Sequence, residues 1–173
     1  MERAIRFNDE MVRAILDGRK TQTRRPIKPQ PGAGMEHILS LYQSTLSRGR
    51  EKYGDVGDDL WVQEVFAINL AGNYDYRATV HPDYHPDFTW RSSTQMPREA
   101  SRIDLSITGL RIERVNDITR GDCMAEGCPF PNMEKGENPV DWFASLWDSI
   151  YGKKGYSWES NPWVYVIDFK VMT

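Results

Sequence analysis

The chain reads as an α+β protein, a barrel-like sheet flanked by helices. Three observations carry that reading. Phe7, Met11, Val12, Ile15 and Leu16 recur at helical spacing, as do Phe143, Leu146, Trp147 and Ile150. Ile103, Leu105 and Ile107 alternate as on a half-buried strand, and residues 164–171 are apolar until Asp168. The helices and strands follow one another without the βαβ rhythm of a parallel sheet.

The elements follow in order. Asn8 is a good N-cap, Asp9 and Glu10 suit the positive helix end, and Gly18 is a good stop, which predicts a helix over 9–17. Residues 20–25 read as a short extended piece. Residues 26–57 are poor in pattern: Pro26, Pro29, Pro31, Gly32 and Gly34 make a loop, and Leu39, Leu41, Tyr42 and Leu46 hint at a weak helix or strand. So long a stretch without structure is uncommon, and it reads as an insertion packed on the surface. Strands are expected over 60–66 and 74–80, with Gly72-Asn73 as the turn. Residues 81–101 are loop-like, with Pro82, Pro86, Pro97 and a lone Trp90. The alternation of 103–107 changes phase at Leu110 and Ile112, which predicts a β-bulge at Gly109. Thr119 and Asp122 predict a capped helix near 120–126, stopped by Gly127. Asn138 and Pro139 open another, which Gly152 ends. Residues 164–171 predict a central strand. No repeat or linker divides the 173 residues, so a single domain over 1–173 is expected.

Composition narrows the function. Hydrophobic content of 39% and charged content of 27% are those of a globular protein, and 12% aromatics argue against disorder. No apolar run approaches the ~20 residues of a membrane span, so no membrane role is expected. Met1 to Arg6 has no apolar signal core, and two cysteines build no disulfide framework, so a cytoplasmic location is expected. Net charge is −3, which speaks against a general nucleic-acid coat. Residues 1–30 nevertheless hold eight Lys/Arg against four Asp/Glu, a net +4 that leaves −7 for the rest. A local basic patch on an acidic body suits a specific pocket.

The segment Gly18-Arg19-Lys20-Thr21-Gln22-Thr23-Arg24-Arg25 carries the densest functional signal. Six of its eight residues are cationic or hydroxylic, which suits a polar or anionic ligand. The competing reading is a solvated basic loop. Threonine is a weak nucleophile that needs a base or a neighbouring cation, and a partly buried lysine can supply either. On a regular strand Lys20 and Thr23 point to opposite faces, so they cooperate only if the backbone turns between them. Glu126, at a helix C-terminus, has its pKa raised by the dipole and could serve as acid or base; an ordinary exposed glutamate is the alternative. Arg98 and Arg102 either extend the basic patch or form surface salt bridges. Trp90 either stacks on a base or packs on its own loop. Cys123, Cys128, His81 and His85 could be counted as a metal set, but the spacing is wide for structural zinc, and no metal is expected. No glycine-rich phosphate loop or Ser-His-Asp set is present, and no cofactor is expected.

These residues resemble a known family. The helix followed by Gly-Arg-Lys-Thr-Gln-Thr-Arg-Arg is similar to the opening motif of ASCH domains, within the PUA-like superfamily. Gly57-Asp58 before Leu60-Trp61-Val62, Ala125-Glu126-Gly127, and the closing run Trp163-Val164-Tyr165-Val166-Ile167-Asp168-Phe169 resemble its later signatures. With Met96-Pro97-Arg98 and residues 146–152, the whole chain is similar to phage and prophage ASCH proteins. The resemblance implies an α+β, PUA-like small mixed β-barrel flanked by helices, with insertions near 29–55 and 67–100. It implies RNA, a nucleotide or a modified nucleoside as partner, with Arg19, Arg24, Arg25, Trp90, Arg98 and Arg102 as ligand-binding candidates. Similar short bacterial proteins hydrolyse N(4)-acetylcytidine, and their catalytic residues fall by motif on Lys20, Thr23 and Glu126. There Thr23 would attack the acetyl carbonyl or orient water, Lys20 would activate it or steady the oxyanion, and Glu126 would shuttle the proton. The alternative is a phage accessory protein that acts through protein contacts without catalysis.

Overall fold

The computed structural model describes residues 2–32, 34, 35, 37, 39–81, 89–129 and 138–172. Its main sheet has five strands: β1 (Glu2–Arg6), β2 (Gln22–Pro26), β3 (Asp59–Gln63), β6 (Asp104–Arg114) and β7 (Trp163–Val171), in the order β1-β3-β6-β7-β2. A short hairpin, β4 (Phe66–Ile68) and β5 (Tyr74–Tyr76), stands apart. Four α-helices flank them: α1 (Asp9–Leu16), α2 (Leu39–Tyr53), α3 (Arg120–Ala125) and α4 (Pro139–Tyr151). Only β1 and β3 run parallel within the main sheet. The two edge strands approach each other where the Arg25 guanidinium of β2 donates to the Arg6 carbonyl at the end of β1, at 2.6 Å.

Local chemistry sets most element ends. The Asn8 side chain accepts from Met11 N–H at 2.9 Å and opens α1. Thr119 and Asp122 form a reciprocal capping box on α3, and Asn138 caps α4 with Pro139 in the first turn. The register of β6 against β7 slips between Ile107 and Gly109, the expected bulge. Gly109 is needed there, because a Cβ would stand 2.7 Å from Asp168 Oδ2.

Strand β7 is buried on both faces. Val164 and Val166 pack with Val115, Cys123, Phe143, Trp147 and Tyr151 beneath α3 and α4. Ile167 and Phe169 join Ile5, Leu60, Val62, Leu105 and Ile107 around Val12 and Ile15 of α1. Two covered faces explain the near-continuous apolar run. The strand lies between β6 and β2, so it is interior as expected, while β6 holds the centre.

Several sequence expectations are corrected. Strand β1 was not foreseen, because only Ile5 of its five residues is buried. The expected strand 60–66 divides at Glu64, a buried carboxylate held by Arg102 at 2.9 Å. The expected strand 74–80 stops at Tyr76, whose carbonyl accepts turn bonds from Thr79 and Val80 N–H. The largest difference is α2, fifteen residues where Leu39, Leu41, Tyr42 and Leu46 hinted only at a weak helix or strand. Its fully buried positions are Thr45 and Gly49, and Leu41, Tyr42, Leu46 and Tyr53 pack on the core only partly buried, so its apolar stripe is weak.

Helix α2 sits on β7 through one glycine. A Cβ on Gly49 would lie 2.6 Å from the Tyr165 ring. That ring is itself pinned, since Tyr165 donates to the Thr45 carbonyl at 2.9 Å and packs edge-on to Tyr53. Glycine to alanine inside a helix normally gains about 1 kcal/mol. Here Gly49→Ala is expected to cost about 1–3 kcal/mol by overpacking, read as a lower urea midpoint. An alanine chain as stable as the parent would show that α2 is not seated on Tyr165.

Candidate functional site

Two glycine-terminated helices bring the ends of the site together. Helix α1 closes with Gly18 N–H on the Ile15 carbonyl and Arg19 N–H on the Ala14 carbonyl. Gly18 takes the left-handed conformation at φ +73°. Helix α3 ends the same way, with Gly127 N–H on Met124 and Cys128 N–H on Cys123, and Gly127 at φ +96°. Both are Schellman caps, which turn the chain sharply out of a helix. The two exits then meet: Thr21 N–H donates to the Ala125 carbonyl at 2.8 Å, and Lys20 and Glu126 form an isolated antiparallel bridge. A Cβ on Gly127 would stand 3.0 Å from Ala14 Cβ and 3.2 Å from Lys20 Cβ, so the approach depends on glycine.

This junction buries a lysine. The Lys20 side chain has 0% of its surface exposed and that of Glu126 has 3%. Lys20 Nζ donates to Glu126 Oε2 at 2.6 Å and to the Glu126 carbonyl at 3.0 Å, and it lies over the Phe7 ring. Burial lowers the Lys20 pKa, and the Glu126 charge opposes that shift without cancelling it. The other carboxylate oxygen, Glu126 Oε1, is buried with no hydrogen-bond partner, and Arg24 Nη1 stands 3.5 Å from it.

Arg24 ties this pair to the sheet. Its guanidinium donates to Gln22 and, at 3.0 Å, to Glu113, and stands 3.4 Å from Asp122. Burial would raise the Asp122 carboxyl, but hydrogen bonds from Thr119 and Gln22 and the Arg24 charge bring it down to about 2. Cys123 and Cys128 are buried free thiols, and burial pushes Cys123 up to about 11, so it is a poor nucleophile. Among the described residues no group of three His, Cys, Asp or Glu could hold a metal ion; His85 lies outside them.

Three hollows abut along this face. The largest, about 400 Å³, lies between α1 and α4 and reaches Arg19, Glu126, Gly127 and Trp142. A narrow crevice of about 10 Å³, with room for about one water, is lined by Thr23, Arg24, Arg25, Glu126, Phe143 and Tyr151 among others. It shares Met11, Glu126 and Leu146 with the large hollow. A third, about 280 Å³, shares Arg25 and Tyr151 with the crevice and adds Arg6, Lys28, Lys52 and Tyr53.

The candidates therefore divide. Thr23 and Glu126 line one crevice, and Lys20 reaches it only through Glu126. Arg24 and Arg25 line it too, while Arg19 lines the large hollow and bonds to the Gly127 carbonyl at 2.9 Å. Arg98, Arg102 and Trp90 line none of the three. Arg98 pairs with Glu2 and Asp104, Arg102 pairs with Glu64 and stacks on Tyr76, and Trp90 is half-buried beside the Phe66–Arg91 bridge. Sequence reasoning missed Tyr53, Tyr151, Lys28 and Lys52. Lys28 lay within the basic first thirty residues; the other three carried no local signal.

The sheet and its helices form an α+β fold similar to that of a solved ASCH domain. The chain is similar to the crystal structure of the ASCH domain from Lactobacillus crispatus JV V101, with a TM-score of 0.51 and 13% identity over 98% of this chain and 79% of that one. A DUF984 protein from Enterococcus faecalis V583 matches with a TM-score of 0.48 and 11% identity, over 99% of this chain and 76% of its own. No protein-family model and no curated protein matches the sequence. No described helix is long and apolar enough to cross a membrane.

The buried pair makes a stability prediction. Lys20→Ala removes the closest partner of the buried Glu126 charge, leaving Arg24 at 3.5 Å, and is expected to cost about 3–5 kcal/mol in urea denaturation. Replacing both partners, as Lys20→Met with Glu126→Leu, is expected to recover most of that loss. Equal loss in the single and double variants would show that the pair is not coupled.

Proposed function

We propose that this cleft holds a nucleotide-related ligand, RNA or a modified nucleoside, and removes an acyl group from its base. The observation that carries the reading is Glu126 Oε1. A buried carboxylate oxygen without a partner is costly to the folded chain. Its residue, Glu126, lines both the crevice that Thr23 lines and the hollow of about 400 Å³. The N–H of an acylated exocyclic amine would satisfy Oε1 and set the acyl carbon near Thr23.

The chemistry follows from the positions. Thr23 Oγ bonds to the acyl carbon while its proton passes to Glu126, which returns it to the leaving nitrogen as the C–N bond breaks. Water then hydrolyses the threonyl ester, and the products are the free amine and the carboxylate. Arg24, beside Glu126, can stabilise the negative charge that forms on the carbonyl oxygen. Lys20 takes a different role from the one its motif implies. It does not line the crevice, and both of its hydrogen bonds go to Glu126, so it acts as a positioning residue for that carboxylate.

The test is acetate release from N(4)-acetylcytidine and its 5′-monophosphate. The parent chain is expected to turn over at least one of them. Thr23→Val, which keeps shape without the hydroxyl, is expected to lose at least about 100-fold, and Thr23→Ser to regain part of it. No release by a folded parent chain, or full activity in Thr23→Val, would overturn the hydrolytic reading.

A further inference from the structure

The third hollow was not singled out by any motif, and it differs in charge from the rest of the molecule. Arg6, Arg25, Lys28 and Lys52 line it with Tyr53 and Tyr151, and among the described residues no carboxylate lines it. None of the four cations has a carboxylate within ion-pairing distance among the described residues. By contrast Arg3, Arg24, Arg77, Arg98, Arg102 and Arg111 each hold a carboxylate at 3.0 Å or closer. Four cations in one concavity of a chain with net charge −3 make a local positive patch that attracts an anion.

We infer that this hollow is a phosphate-binding site, which holds the phosphate of the same ligand whose acylated amine faces the crevice. Its floor is already set. Arg25 is fixed by donating to Tyr151 Oη at 3.1 Å and to the Arg6 carbonyl at 2.6 Å, and it lies over the Phe7 ring. A planar guanidinium held in this way presents its remaining N–H groups in a fixed direction, which suits phosphate oxygens. Burial pushes the Tyr53 hydroxyl up to about 12, so it remains a neutral donor at physiological pH. The rim is adjustable: Arg6, Lys28 and Lys52 are exposed, and the two lysine amines rest over Tyr156 and Tyr53 at 5.1 and 5.0 Å. Lys52 and Tyr53 close α2, so the inserted segment completes the site. Because Arg25 and Tyr151 also line the crevice, the hollow adjoins the one that Thr23 lines. The inference rests on the proposed ligand class and sharpens it: the preferred substrate is phosphorylated, not a free nucleoside.

Calorimetric titration of the full chain separates the possibilities. Cytidine 5′-monophosphate is expected to bind at least about 10-fold more tightly than cytidine. Lys28→Ala with Lys52→Ala is expected to abolish that difference, while Arg120→Ala with Lys170→Ala, which removes the same charge from other exposed positions, is expected to keep it. Inorganic phosphate, followed by its own ³¹P signal, tests the hollow without any nucleoside. If it binds the parent and not the Lys28/Lys52 variant while no cytidine compound binds, the phosphate site stands and the nucleoside reading falls. A short RNA that binds far more tightly than the monophosphate would place the phosphate in a strand; equal binding would place it on a free nucleotide. Equal affinity for cytidine and its monophosphate, or a difference untouched by Lys28→Ala/Lys52→Ala, overturns the inference.

Discussion

A lysine ammonium with no exposed surface stands 2.6 Å from an almost equally buried carboxylate, and the arrangement of this molecule turns on that contact. Taking both charges out of water costs several kcal/mol each, so the pair earns its place only by close geometry and extra hydrogen bonds. The second bond from Lys20 to the Glu126 carbonyl and the bridge between the two exits supply part of that. The contact joins residue 20 to residue 126 and so fixes α1 against α3. Strand β2 begins two residues later and is placed by the same junction. Its Gln22, Thr23 and Arg24 are buried although none is apolar: Gln22 and Arg24 lie among polar partners, and Thr23 lines the crevice.

A polar strand buried in this way costs stability and is the sort of local conflict expected at a functional site. The structure answers most of it internally: Arg24 serves Gln22, Glu113 and Asp122, and Arg111 serves Glu113, Asp122 and Asp168. Arg24 Nε and Glu126 Oε1 still lack hydrogen-bond partners, and the neighbouring hollow gathers cations without a carboxylate partner among the described residues. Glu126 Oε1 calls for a donor and the cations for an anion. A phosphorylated nucleotide with an acylated amine carries both.

Where local chemistry dictates structure, the sequence was legible. Asn8 with Gly18, Thr119 with Asp122 and Gly127, and Asn138 with Pro139 each mark a helix end through bonds within a few residues. The bulge at Gly109 was legible because a change of phase in an alternating strand has one simple cause. Elements that draw stability from distant partners were not. Helix α2 buries Thr45 and Gly49 against Tyr165, more than a hundred residues away, and β1 shows one apolar contact on an edge. The site divides likewise. Lys20, Thr23 and Glu126 came from short motifs, and the fold brings Lys20 to Glu126 and Glu126 to Thr23. The role of Lys20 was not legible, because the direction in which it points depends on the second Schellman cap. Arg98 and Arg102 looked like parts of the basic patch until the fold supplied Glu2, Asp104 and Glu64 as their partners.

The most direct test of this account is the titration of the Lys20 amine, followed by NMR at its Cε and Nζ. A buried ammonium held by one carboxylate should titrate below the ordinary lysine value of about 10.4 and apart from the exposed lysines. Exchange of Glu126 for glutamine removes the charge that opposes desolvation, so the Lys20 pKa should fall further. A Lys20 signal that titrates with the surface lysines and ignores the change at Glu126 would contradict the central claim.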